Sequence, residues 1–326
     1  MTLRKYDFTF KAMACSNELS IFVSNKKAAK SIAAEAIDAV HALEARYSRY
    51  LPDSLLSKIN NSAGDLSGVD VDSETAALLN YSQACFEQSE GLFDITSGVL
   101  RTIWDFTSNT LPSDQELQAT LDLVGWEKVI WKDPKFVLPI AGMEIDFGGV
   151  VKEYAADTCA NLCRAKGIKH GLVNMGGDIH VIGPHPDGSP WKIGIQNPDN
   201  PDEIITTVNL THGGLASSGD YQRFMTIGGR RYGHILNPRT GWPVPGLRAV
   251  SVMAPQCLIA GSTTTIAMLM GDDGKEWLDS AGLPYLWFDA KSRLYVSHGS
   301  ATPQTNEPIP PQTSNCQPPV ALDHNP

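Results

Sequence analysis

His234 ends a strand-like run over 230–235 and is followed at once by the turn-forming sequence Asn237-Pro238-Arg239-Thr240-Gly241. An imidazole titrates near neutrality, so a histidine at a strand end beside such a loop stands where proton transfer would use it. Taken alone, this stretch is slightly better read as a hairpin with a surface or satisfied core histidine. Company elsewhere in the chain reverses that balance. Asp146-Phe147-Gly148-Gly149 sits at a strand-to-helix junction, where unpaired helix N–H groups and the macrodipole favour a phosphate and glycine lets it approach. Lys152 falls in the first turn of that helix and adds a point charge. Asn174-Met175-Gly176-Gly177-Asp178 interrupts a strand with paired glycines, and Ser217-Ser218-Gly219-Asp220 repeats the device of backbone brought close to a ligand. Each place alone is ordinary turn chemistry. No G-x-G-x-x-G follows any strand that the pattern draws, and no Walker A sequence is present.

These residues need elements to hold them. The hairpin around His234 reads as strand 222–227, turn Gly228-Gly229 and strand 230–235. Apolar residues at helical spacing predict helices over 28–47, 74–89, 150–166 and 258–270, with shorter ones starting at Pro52-Asp53-Ser54 and within 111–124. Strands are predicted over 19–23, 171–175, 179–182, 191–196, 203–210, 248–254, 285–288 and 293–297, with a three-strand meander over 128–131, 136–140 and 143–147. From 299 to 326 the chain is rich in Pro, Asn and Gln and poor in bulky apolar residues, which predicts a disordered tail.

Composition narrows the partners. With 26 Lys+Arg against 36 Asp+Glu in 326 residues, a net charge of -10 offers no basic face for nucleic acid. A small anion is still open, because local N–H groups and one metal ion outweigh a global field at short range. No window is apolar enough to span a membrane, and the N-terminus has no apolar signal core. The six cysteines are scattered without zinc-ribbon spacing, and Cys159 and Cys163 read as small apolar residues one helical turn apart. A cytoplasmic protein with reduced thiols is the expectation.

In order along residues 8–298, the motifs Met13-Ala14-Cys15, Ser48-Arg49-Tyr50-Leu51-Pro52-Asp53-Ser54, Gly91-Leu92-Phe93-Asp94 and Asp146-Phe147-Gly148-Gly149-Val150-Val151-Lys152 are followed by Asn174-Met175-Gly176-Gly177-Asp178, Ser218-Gly219-Asp220-Tyr221 and His234-Ile235-Leu236-Asn237-Pro238-Arg239-Thr240-Gly241. Seven motifs in this order resemble the FAD:protein FMN transferases, the ApbE family. The resemblance implies an α+β fold over 1–298, two-lobed, with mixed or antiparallel sheets, packed helices and FAD in the cleft between lobes. It implies transfer of FMN from FAD to a Thr or Ser hydroxyl of a target flavoprotein through a phosphoester, with Mg²⁺ present and AMP released. His234 is then the general base for the incoming hydroxyl. Met13, Tyr50, Asp94, Lys152, Asn174, Gly176, Gly177, Asp178, Ser218, Gly219, Arg239 and Thr240 fall on the FAD side of the site, Tyr50 as a stacking ring.

The resemblance also marks departures. Met-Gly-Thr is Met13-Ala14-Cys15 here, and the family's Lys-Gly is Lys152-Glu153. The family's metal-binding Ala-Asp-x-x-x-Thr reads Ala260-Gly261-Ser262-Thr263-Thr264-Thr265, with the threonine kept and the aspartate lost. The metal set expected here is therefore Thr265, the carbonyl of Val151, and Glu153 as a relocated carboxylate. Two other readings follow from the same residues: hydrolysis of FAD to FMN and AMP, and FAD binding without catalysis.

Overall fold

The computed structural model describes residues 2–297 apart from 109, 222, 290 and 292. The tail from 299 on, and residue 222 at the expected start of the His234 hairpin, lie outside them. The first half of the chain forms β1 (Arg4–Ala12), β2 (Cys15–Val23), α1 (Lys26–Tyr47), α2 (Leu55–Asn61), β3 (Val69–Asp70), α3 (Ser73–Gln88), α4 (Asp114–Leu121), β4 (Ile130–Lys132) and β5 (Lys135–Val137). Then come α5 (Val151–Ala165), β6 (Gly171–Met175), β7 (Asp178–Gly183), β8 (Trp191–Asn197), β9 (Asn200–Leu210) and β10 (Gly213–Gly219). The chain continues through β11 (Phe224–Ile227), β12 (Arg230–Gly233), β13 (Ala249–Ala254), α6 (Cys257–Met270), α7 (Gly274–Ala281), β14 (Tyr285–Phe288) and β15 (Leu294–Val296).

Among the described residues, eight strands make one sheet in the order β1-β2-β6-β7-β10-β13-β14-β15, with every neighbouring pair antiparallel. Helices packed on an antiparallel sheet give an α+β fold. The period-2 alternation sorts β13 between two cores: Val250 and Val252 pack with Ala260 and Ala267 of α6, while Ala249 and Met253 face the ribbon of β8 and β9. The largest core joins β2 and β6 to α1 and α5. Helix α1 buries Ala29, Ala33, Ala36, Val40 and Leu43 at helical spacing and is capped by Asn25, whose Oδ1 accepts from Ala28 N at 2.9 Å. Helix α5 turns Ala155, Ala156, Cys159, Ala160 and Cys163 inward, small side chains that let it lie close to its neighbours.

Residues 143–147, expected as a strand, pair with no strand. Met143, Ile145 and Phe147 are buried at alternate positions as the pattern required. The pairing that a strand would supply comes instead from the Asn60 side chain, which donates to Ile145 O at 3.0 Å and accepts from Ile145 N at 2.8 Å. Asp146 N donates to Ile95 O at 2.9 Å. A further strand, β1, pairs with β2 along its whole length, and Met13 and Ala14 turn between them with φ of 54° and 58°.

Candidate active site

Extended residues 143–147 deliver Asp146-Phe147-Gly148-Gly149 to the start of α5, where Val150 stands as N-cap with no side-chain hydrogen bond. The helix therefore presents uncapped N–H groups, the arrangement that binds phosphate. A cleft opens there, lined by Asp94, Asp146, Gly148, Gly149 and Thr265. A Cβ at position 149 would meet the Phe93 ring at 3.4 Å and Thr265 Oγ1 at 3.6 Å, so the backbone passes close to both walls.

Arg49 holds the rim. Its Nη1 forms an ion pair with Asp146, its Nη2 donates to Tyr50 Oη at 2.9 Å, and its guanidinium lies 5.0 Å from the Tyr50 ring centroid. Tyr50 is 74% exposed, so one ring face is open to a planar ligand. The hydrogen bond from Arg49 lowers the Tyr50 phenol, burial opposes it, and the charges of Arg49, Arg223 and Arg101 add to the lowering.

Arg223 links this rim to His234. The Arg223 carbonyl accepts from His234 N at 3.1 Å and lies 3.2 Å from His234 Nδ1. That contact assigns the proton to Nδ1 and leaves Nε2 as the acceptor, the form a general base needs. Burial lowers the imidazole below its ordinary value; the hydrogen bond to Arg223 opposes this and the Arg223 charge reinforces it. The hairpin beneath matches its pattern: β11 and β12 pair across Gly228-Gly229, both at positive φ.

The loop after His234 is fixed from three sides. Asn237 Oδ1 accepts from Arg239 N at 2.8 Å and from Thr240 N at 3.2 Å. Arg239 Nη2 donates to the Glu90 carbonyl, next to the Gly91-Leu92-Phe93-Asp94 segment of the cleft wall. Gly241 O accepts from Trp104 Nε1 at 2.8 Å, and Trp104 packs edge-on against Trp242 at 5.3 Å. Asp94 lines the cleft, yet its carboxylate is engaged: Oδ1 accepts from Thr96 N and Thr96 Oγ1, and Oδ2 from Trp126 N at 3.0 Å.

In the first turn of α5, Lys152 Nζ pairs with Asp178 Oδ2 at 2.5 Å. Burial lowers the Lys152 ammonium, but Asp178 and Glu153 outweigh it and raise its pKa. Asp178 Oδ1 also lies 3.3 Å from the Ser217 N–H. Glu153 is buried beside this pair, with Oε2 lacking any hydrogen-bond partner. Burial pushes its carboxyl up to about 8, Asp178 adds to the rise and Lys152 opposes it. Ser218 Oγ is 2.8 Å from Thr264 Oγ1, which tethers β10 to α6. The Asn174 side chain closes its own turn, Oδ1 accepting from Gly177 N at 2.8 Å. Gly176 has φ of 62°, and a Cβ there would meet Cys15 at 2.9 Å, so the β6–β7 turn seats on the β1–β2 turn. There Met13 N donates to Glu44 Oε1 at 2.6 Å. Gly219 leaves room for the Tyr221 ring, which a Cβ would meet at 2.3 Å.

Two parts of the site escaped the sequence reading. Arg49 stood inside a quoted motif but nothing in the sequence pairs it with Asp146, 97 positions away. Asp157 was read only as part of a helix. In the fold it accepts from Cys257 N at 2.8 Å and Leu258 N at 3.0 Å and bonds His180 Nδ1, so a carboxylate of α5 caps α6, whose own N-cap Gln256 makes no such bond. Among the described residues, no three His, Cys, Asp or Glu side chains converge as a metal cage. The cleft offers a hard cation the Thr265 hydroxyl and the Asp146 carboxylate, and Glu153 Oε2 is buried without a partner on a side chain that packs against Gly261 of the same helix as Thr265. This oxygen-only set suits Mg²⁺ completed by substrate phosphate and water.

Known proteins share this fold. The solved ApbE protein of Thermotoga maritima superposes with a TM-score of 0.83 at 29% identity, over 90% of this chain and 97% of that one. The flavin transferase ApbE of Vibrio cholerae superposes with a TM-score of 0.82 at 24% identity, over 91% and 98%. In sequence, the FAD:protein FMN transferase of Escherichia coli K12 is 30% identical over 247 residues, 72% of this chain and 70% of that protein. The model of the ApbE family matches residues 13–287, a span that takes in every motif from Met13 to the α6 threonines, and the chain belongs to that family.

Proposed function

We propose that this chain is an FAD:protein FMN transferase. The observation that carries the reading is the combination of an uncapped α5 N-terminus, approached through Gly148-Gly149, with an imidazole whose Nδ1 is committed to Arg223. The helix N-terminus and the Arg49 rim receive the pyrophosphate and flavin of FAD, and the acceptor hydroxyl of a target flavoprotein comes to His234 Nε2. The hydroxyl oxygen bonds to the FMN phosphorus, the pyrophosphate linkage breaks, and AMP departs; the hydroxyl proton passes to Nε2. Mg²⁺, when bound, offsets pyrophosphate charge, and Thr265, Val151 and Glu153 are the residues that would hold it. The acceptor is a Thr or Ser side chain, joined through a phosphoester. No helix among the described residues is long and apolar enough to cross a membrane. The buried cysteines support the reading that the enzyme works in the reducing cytoplasm.

Incubation with FAD, Mg²⁺ and a candidate acceptor, followed by a denaturing gel, tests this reading. Fluorescent flavin that stays with the denatured acceptor, together with released AMP, is the expected result. AMP and FMN without labelled protein would instead make the chain a hydrolase of FAD. Bound FAD with no product from any acceptor would leave a flavin-binding protein.

A further inference from the structure

Glu153 is 6% exposed and Asp178 3%, and both stand beside Lys152, Glu153 as its chain neighbour and Asp178 as its ion-pair partner. Lys152 neutralises one of them, through Asp178. Two carboxylates and one ammonium leave a buried negative charge unmatched, and Glu153 Oε2 has no donor to soften it. An unmatched buried charge of this kind calls for a proton or a cation.

Position 261 decides where that oxygen sits. A Cβ on Gly261 would fall 2.5 Å from Glu153 Cγ, 3.0 Å from Cδ and 3.1 Å from Oε1. The Glu153 side chain therefore fills the space that any side chain at 261 would claim. It lies against the turn of α6 that precedes Thr265, whose side chain lines the cleft. Four residues along a helix share a face, so the Glu153 carboxylate and the Thr265 hydroxyl are offered on one side of α6. A glycine here and a glutamate across the helix pair form one unit.

We propose that Glu153, seated over Gly261, is the carboxylate ligand of a divalent, oxygen-seeking cation shared with the Thr265 hydroxyl. The proposal rests on the transferase reading only for the purpose of the cation, which is to meet the phosphates of the nucleotide. The buried charge at Glu153 and the filled space over Gly261 are present without it.

Mn²⁺ is the probe, titrated into the full chain with FAD present and followed by the electron paramagnetic resonance signal of the free ion. The wild type is expected to take up Mn²⁺. Glu153→Gln, which keeps the packing over Gly261 but not the charge, is expected to weaken that uptake by roughly 10–100-fold with its melting temperature held or raised. Gly261→Asp alone collides with Glu153 and is expected to bind poorly. Glu153→Gly combined with Gly261→Asp moves the carboxylate across the helix pair and is expected to regain Mn²⁺ relative to Glu153→Gly. Undiminished Mn²⁺ affinity in Glu153→Gln would overturn the proposal and assign a shared proton to the carboxylate pair. So would a wild type that binds no Mn²⁺, or a double variant no better than Glu153→Gly. FMN transfer is assayed separately: transfer with Glu153→Gln binding unchanged sinks the ligand and spares the function, while loss of Mn²⁺ in Glu153→Gln with no acceptor labelled by the wild type does the reverse.

Discussion

A histidine becomes a base through what its other nitrogen does. The Arg223 carbonyl fixes His234 as the Nδ1–H tautomer, and burial keeps it neutral below the ordinary imidazole value. Replacing it with alanine is expected to leave FAD binding intact and to lower transfer by roughly 10²–10⁴-fold; single-turnover transfer beside an FAD titration separates the two, and near-normal turnover would place the base elsewhere. The sign of the pH dependence follows from the lowered pKa. The neutral form persists to pH values below 6.5, so the acid limb of kcat/KM should have its midpoint below 6.5, and a midpoint above it would contradict the burial. Residue type and motif marked His234 as the candidate base in the sequence. What the sequence did not carry was its partner, because a backbone carbonyl leaves no trace in residue identity. Arg49 and Asp146 escaped for a related reason: an ion pair across 97 positions has no local pattern.

At the scale of elements, periodicity was a sound guide wherever side chains alone decided. The repeat of Ala29, Ala33, Ala36, Val40 and Leu43 fixed α1 almost to its ends, and Gly228-Gly229 fixed the β11–β12 turn. It misled at 143–147, where alternate burial is real but Asn60 stands in for a neighbouring strand. Because this one amide orders the segment that leads into the α5 N-terminus, Asn60→Ala should cost about 2 kcal/mol, the worth of two hydrogen bonds to partly buried backbone. Denaturant unfolding reads that loss, and FAD affinity should fall with it. The cap that α5 supplies to α6 carries more. Asp157→Ala removes an acceptor from Cys257 N, Leu258 N and His180 together, and is expected to cost about 3 kcal/mol or more. A loss under about 1 kcal/mol in calorimetry would show that α6 holds its place without it.

Across the whole molecule, charge is arranged locally against the global balance. A chain of net charge -10 gathers Arg49, Arg101 and Arg223 around Tyr50 at the mouth of an open helix N-terminus. Composition directed attention away from nucleic acid and is blind to such a cluster. A ligand that joins the arginine rim to the α5 end should stiffen the molecule as a unit. FAD at about a hundred times its Kd is expected to add about 2.7 kcal/mol, a rise of roughly 5 °C in Tm; thermal melting with FAD, and with AMP for comparison, measures it, and an equal rise with AMP would remove the flavin side from the account. The reach of Asp157 to α6 has one more consequence, in the time a ribosome takes. The cap spans 100 residues of sequence. At about 5–20 residues per second, Asp157 waits on the order of 5–20 s after its own synthesis before Cys257 exists to meet it. Helix α5 emerges with a carboxylate that has nothing yet to cap, and strand β13 and helix α6 join the sheet and its core only after that interval. A chain made only as far as β10 therefore lacks the Thr265 wall of the cleft, and FAD binding should wait until α6 has joined the fold.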